Sequence, residues 1–291
     1  MPACHRAAPA TDPARTVTPR LIGVDFSSRP TRRKPIVVAE GVQHGDEVRL
    51  TGLRSCPDES TFLALLREPG PWLGGFDLPF GLPRELVETL GWPTDWPALM
   101  RHYLALDRAT IRATFAAFCD ARPPGGKFAH RACDGPAGSS PSMKWVNPPV
   151  AYMLHAGVAA LLAAGCALPG LHPGDPDRAA LEAYPGHLAR ALIGRTSYKS
   201  DDPARQTHER TDARALLVNR LQAGAPTLGL RLVVDPPTRQ RLIDEPQGDA
   251  LDAVLCLMQA AWTLGRPRNG WPEGVDPLEG WIAAVPAQPQ A

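Results

Sequence analysis

The sequence predicts a mixed α/β layer in a single domain, and three observations predict it. Two short apolar segments, Leu21-Ile22-Gly23-Val24-Asp25 and Gly74-Gly75-Phe76-Asp77, have the composition of buried strands, and each ends on an acid. Three strand-like stretches, a helix and a further strand follow one another at the start of the chain. Near the other end, Gly248-Asp249-Ala250-Leu251-Asp252-Ala253-Val254-Leu255 opens an apolar helix with two acids one turn apart.

The elements follow in order. Residues 1–19, rich in Ala, Pro, Thr and Arg, read as a disordered tail without the apolar core of a signal peptide. A strand over 20–27 precedes the basic loop Arg29-Pro30-Thr31-Arg32-Arg33-Lys34. A second strand covers about 35–42, and Gly45-Asp46 turns the chain into a third over about 47–53, where Val48 and Leu50 alternate with polar residues. Together these three make an antiparallel meander. A helix from Asp58 to Arg67, capped by Asp58 or Ser60, leads to the fourth strand, Trp72 to Leu78.

A helical insertion of about 80–175 follows that strand. It begins with a short helix at Pro83–Leu90, continues in one long amphipathic helix from Asp95 to Asp120, and passes through a Pro/Gly/Ser-rich loop at 121–149. The stretch 150–168 has the length of a membrane span, but its Ala/Gly composition fits a buried helix better. A strand near 180–184 then carries Glu182, and Pro185 starts the next helix. A polar, Arg-rich helix spans about 203–223, and the last helix runs from Gly248 to Leu264. The domain as a whole covers 20–285.

The formal net charge is +1, so there is no global basic field and a nucleic-acid partner must be met by a local patch. The six cysteines form no C-x-x-C pair, which argues against zinc and for a reducing, cytoplasmic setting. No membrane association is expected.

Acids at the ends of apolar elements are costly to desolvate unless paired or bound to metal. Asp25, Asp77, Asp249 and Asp252 therefore suggest a divalent-cation site. Each also has a plainer explanation. Asp25 and Asp77 can bond local turns, Asp249 can cap its helix, and Asp252 can sit as a first-turn charge against the helix dipole.

In order along the chain, five segments resemble the ribonuclease H-like superfamily, and more closely the family known as domain of unknown function 429, regarded as predicted nucleases. They are Ile22-Gly23-Val24-Asp25, Phe76-Asp77-Leu78-Pro79-Phe80-Gly81-Leu82-Pro83, Leu181-Glu182-Ala183-Tyr184-Pro185, Ser197-Tyr198-Lys199 and Asp249-Ala250-Leu251-Asp252-Ala253. Holliday-junction resolvases are similar in the final-helix acids and in an aromatic-proline segment before a Gly and a Lys. The resemblance implies a ribonuclease H-like mixed sheet, a meander plus parallel strands, flanked by helices. It implies phosphodiester hydrolysis with two Mg²⁺ or Mn²⁺ ions held by Asp25, Asp77, Asp249 and Asp252. Glu182 joins the catalytic set as ligand, orienting group or base. Lys199, by the resolvase likeness, and Arg131, Lys144 and the loop residues Arg29, Arg32, Arg33 and Lys34 are the candidate contacts to a nucleic-acid or nucleotide substrate.

Two other classes compete. A non-catalytic protein of the same fold would keep the acids as caps and turn formers. An actin-like kinase or ATPase also starts on Gly-x-Asp, but Gly194-Arg195-Thr196-Ser197-Tyr198-Lys199-Ser200 lacks the glycine before lysine that lets a backbone wrap phosphate.

Overall fold

Strands β1 (Arg20–Asp25), β2 (Ile36–His44) and β3 (Glu47–Cys56) form the expected antiparallel meander in a computed structural model that describes residues 18–286. The expected N-terminal tail lies outside the described residues except for its last two positions. Helix α1 (Glu59–Leu66) is capped by Asp58, whose side chain accepts the Thr61 N–H at 2.8 Å. Strand β4 (Trp72–Asp77) then pairs with β1 in parallel, Val24 opposite Phe76.

Helices α2 (Arg84–Thr89), α3 (Trp96–Leu104), α4 (Arg108–Asp120), α5 (Asp134–Ala137) and α6 (Val150–Ala163) follow. The single helix expected over 95–120 is two. Asp107 interrupts it with extended backbone and caps α4 by accepting the Thr110 N–H at 2.7 Å. A capping aspartate inside an amphipathic pattern is a start signal that the periodicity hides. Helix α6 is also shorter than expected. It ends before Gly165, whose φ of +75° only glycine adopts freely, and Cys166 belongs to the short strand β5 (Cys166–Ala167). No helix among the described residues is long and apolar enough to cross a membrane.

Strand β6 (Asp175–Ala183) has nine residues where five are expected and runs parallel to β4. Helices α7 (Pro185–Ile193) and α8 (His208–Ala223), strand β7 (Arg231–Val233), helix α9 (Pro236–Asp244) and helix α10 (Asp249–Thr263) follow among the described residues; β7 and α9 were not anticipated. The seven strands form one mixed sheet in the order β5-β6-β4-β1-β2-β3-β7.

Strand alternation divides the core in two. Ile22, Val24, Ile36, Val38, Trp72 and Phe76 face the layer built by α1 to α4 and α6. Leu21, Val37, Ala39, Leu73 and Leu181 face α7 to α10. The central helix of that second layer is α10, buried along almost its whole length, which explains an apolar composition with no polar face.

Candidate metal centre

Asp25 and Asp77 are the last residues of neighbouring parallel strands, so their side chains leave the same edge of the sheet. Alternation puts Gly23 on the same side as Asp25, and Gly75 on the same side as Asp77. Both glycines lie under α10. A Cβ on Gly23 would stand 2.1 Å from Ala253 O, and one on Gly75 would stand 2.4 Å from Cys256 O. The two glycines let α10 rest directly on the strand backbones, and this close approach delivers Asp252 to the strand-end acids. Carboxylate oxygens of Asp25, Asp77 and Asp252 all lie within 4.8 Å of one another.

The three are not equivalent. Asp252 is fully buried, and Tyr198 donates its hydroxyl to Oδ1 at 2.6 Å while Lys199 is ion-paired to Oδ2. Asp25 and Asp77, half-buried, receive no hydrogen bond or ion pair from the described residues. Burial raises the Asp25 carboxyl well above the ordinary range, and the charges of Asp252, Asp249 and Asp77 add to this. Burial likewise pushes Asp77 up to about 7, against the pull of Lys199. Lys199 stays protonated despite its burial because Asp252, Tyr198 and Asp25 surround it.

Neither strand-end acid serves the plainer role open to it. The bend after Asp77 is closed by backbone, Leu78 N–H to Phe76 O at 2.8 Å. Asp249 is not the cap of α10 either. That position is Gly248, at φ +74° and without a side-chain cap, and the Ala250 N–H is bonded by Glu245 Oε2 at 2.7 Å. Three convergent carboxylates, two of them without a donor among the described residues, are a donor set that could hold a metal ion.

Other expected site residues fall elsewhere. Asp249 stands outside the triad, its Oδ1 accepting from Lys34 Nζ at 2.7 Å, because it lies one turn back along α10. Glu182 pairs with Phe76 in register, so alternation sends its side chain to the opposite sheet face from Asp77, whose partner is Ala183. There Glu182 accepts from Arg131 at 2.7 and 2.8 Å and from the Phe80 N–H at 2.9 Å. Arg131 is consequently a buried structural cation. It also binds Asp134 at 2.9 Å and the Glu279 carbonyl at 3.1 Å, so it has no donor left for a substrate. Lys144 donates to the Asn147 carbonyl at 2.6 Å within its own loop, and Arg32 is exposed on the basic loop, where Lys34 instead reaches the acids. Of the expected substrate contacts, only Lys199 touches the triad.

Lys34, one of the basic-loop candidates for substrate, instead pairs with Asp249, whereas the Tyr198 bond to Asp252 and the packing role of the two glycines were overlooked as parts of the site. The repeated Gly-x-Asp of Gly23-x-Asp25 and Gly75-x-Asp77 was the available signal: a missing side chain two residues before an acid marks a face under close packing.

No family model, curated protein or solved structure matches this chain. The geometry of the acids is therefore what the functional reading rests on.

Proposed function

We propose that this chain is a divalent-metal-dependent phosphodiesterase of ribonuclease H-like fold that hydrolyses nucleic acid. The observation that carries the reading is the pair Asp25 and Asp77, without a donor among the described residues and brought within 4.8 Å of Asp252. A meander whose first strand is flanked by parallel β4 and then β6, with the last helix laid across β1, agrees with the architecture that the motif resemblance implies. The same resemblance points to the domain of unknown function 429.

Asp25, Asp77 and Asp252 would hold Mg²⁺ or Mn²⁺, with Asp249 beside them for a second ion. Bound there, such ions supply Lewis acidity for attack of water on phosphorus and departure of the ester oxygen. The chain's own residues set the rest. Tyr198 fixes the rotamer of Asp252 through the 2.6 Å bond to Oδ1. Lys199 is the cation placed to meet a phosphate oxygen, and Lys34 holds the basic loop across Asp249.

The pairing of Lys199 with Asp252 and of Lys34 with Asp249 also suits a non-catalytic protein whose lysines neutralise its acids. Titration with Mn²⁺ by calorimetry, wild type beside Asp25→Asn, separates the two. Stoichiometric binding and metal-dependent cleavage of a labelled nucleic-acid panel, both lost in the variant, are expected. A folded wild type that takes up no Mn²⁺ overturns the proposal and leaves the lysine-neutralised protein.

A further inference from the structure

A cavity of ≈ 320 Å³ opens beside the triad, bounded by the ends of β4 and β6, the start of α6, and the chain at 139–140 and 198–199. Asp77 and Lys199 line it, so it is continuous with the acid site. The remaining wall is mostly apolar, with Leu78, Val150, Met153, Tyr184 and Ile282 contributing, and its polar part includes the ion-paired Arg131 and Glu182. Tyr184, half-buried, lies against Gly186, where a Cβ would stand 2.6 Å from its ring. That glycine is what allows the ring its place at the cavity wall.

We propose that this cavity receives one unpaired nucleobase of the substrate, so that the enzyme acts on single strands or extruded nucleotides and not on paired duplex. The inference rests on the phosphodiesterase reading and names the substrate class of that site. Its volume is at the lower end for small-molecule sites, about 300 Å³ and upward, which suits a single base and is too small for a base pair within a helix. Apolar walls with a tyrosine ring favour any base through its π-face, without demanding one sequence. The phosphate of a nucleotide whose base is held there falls near Lys199 and Asp77, because both line the same cavity. The net charge of +1 offers no broad field for gripping a duplex from outside, so affinity must come from such local contacts.

The test measures two things on the same preparations. Fluorescence anisotropy, with Ca²⁺ present, follows binding of a short labelled single strand, the same strand annealed as a duplex, and the same strand built with abasic residues. Electron paramagnetic resonance counts bound Mn²⁺ independently. The expected result is that the single strand binds about tenfold tighter than either comparison strand, as one stacked base contributes. Val150→Trp, which fills the cavity, should abolish that preference while leaving the Mn²⁺ count unchanged, and Gly186→Ala, which displaces the Tyr184 ring, should reduce it. Equal binding of all three strands, no binding of any, or a preference that survives Val150→Trp in a folded protein overturns the cavity's assignment. Mn²⁺ bound without a strand preference removes the base pocket and keeps the metal site. A preference without Mn²⁺ binding does the reverse.

Discussion

At Asp25, burial acts first and the charges of Asp252, Asp249 and Asp77 add to it, while Lys199 opposes them. An uncharged isostere removes that cost, so Asp25→Asn should raise the melting temperature of the metal-free protein by a few degrees, at roughly 2–4 °C per kcal/mol for large domains. The same variant should lose Mn²⁺ binding. Differential scanning calorimetry in chelator checks the first outcome, and an unchanged or lowered midpoint would contradict the repulsion. Asp77 carries a pH dependence with a definite sign. Its folded value of about 7 lies above the ordinary 3.8, so between those limits the folded state holds a proton that the unfolded state has lost. The stability this group contributes is present below pH 3.8 and lost as pH rises towards 7. A metal needs the carboxylate, so binding must expel that proton. Calorimetry near pH 6 in two buffers of different ionisation enthalpy should register proton release on Mn²⁺ binding. The thermal shift produced by Mn²⁺ should be larger at pH 7.5 than at pH 5.5.

Among the elements, α10 decides whether the acids meet. Its backbone lies on Gly23 and Gly75 so closely that no side chain fits between. Gly23→Ala, which adds one methyl group at 2.1 Å from Ala253 O, must push the helix away or distort β1. A loss of about 1–3 kcal/mol or more is expected from such overpacking. Mn²⁺ affinity should fall with it although every carboxylate is retained. A urea midpoint together with a Mn²⁺ titration reads both, and a variant that binds metal as tightly as wild type removes the glycines from the site. The same scale shows what was legible in the chain. The meander, β4, the start of α7 and α10 were readable because turn residues, capping residues and apolar runs coincide there. Strand β7, with only three residues, was not, since Arg231-Leu232-Val233 is too short to show a period, and its partner β3 is supplied by the fold. The acids at element ends were likewise visible as residues. Which of them converge was not, because that depends on face: Glu182 is one register step from the Asp77 pair, and this single step puts it on the other side of the sheet.

Across the whole molecule the sheet separates two kinds of buried charge. On the α10 side Asp25 and Asp77 have no donor among the described residues, while Asp252 and Asp249 are held by Tyr198 and lysines. On the opposite side Arg131, from the long loop, joins Glu182 of β6, Asp134 of α5 and the carbonyl of Glu279 near the chain's end. Glu279 itself accepts the N–H groups of Arg84 and Ala132, each at 2.8 Å. This second cluster fastens the helical insertion and the C-terminal segment to the sheet, so its chemistry is cohesion. Burial works against the charge of Arg131, but Asp134 and Glu182 hold it protonated. Arg131→Met leaves two buried carboxylates without their cation and should cost about 3–5 kcal/mol, as removing one member of a buried ionic group does. Glu182→Gln keeps an acceptor for the Phe80 N–H while removing one charge, so its loss should be smaller. In both variants the fraction that remains folded should still bind Mn²⁺ with at most a modest change in affinity, because this cluster supplies none of the triad ligands although Arg131 and Glu182 line the same cavity as Asp77. Chemical denaturation gives the two stabilities, and a Mn²⁺ titration without denaturant gives the affinities. If Glu182→Gln remains folded and loses Mn²⁺, Glu182 belongs to the metal centre after all, and the division of labour between the two sheet faces fails.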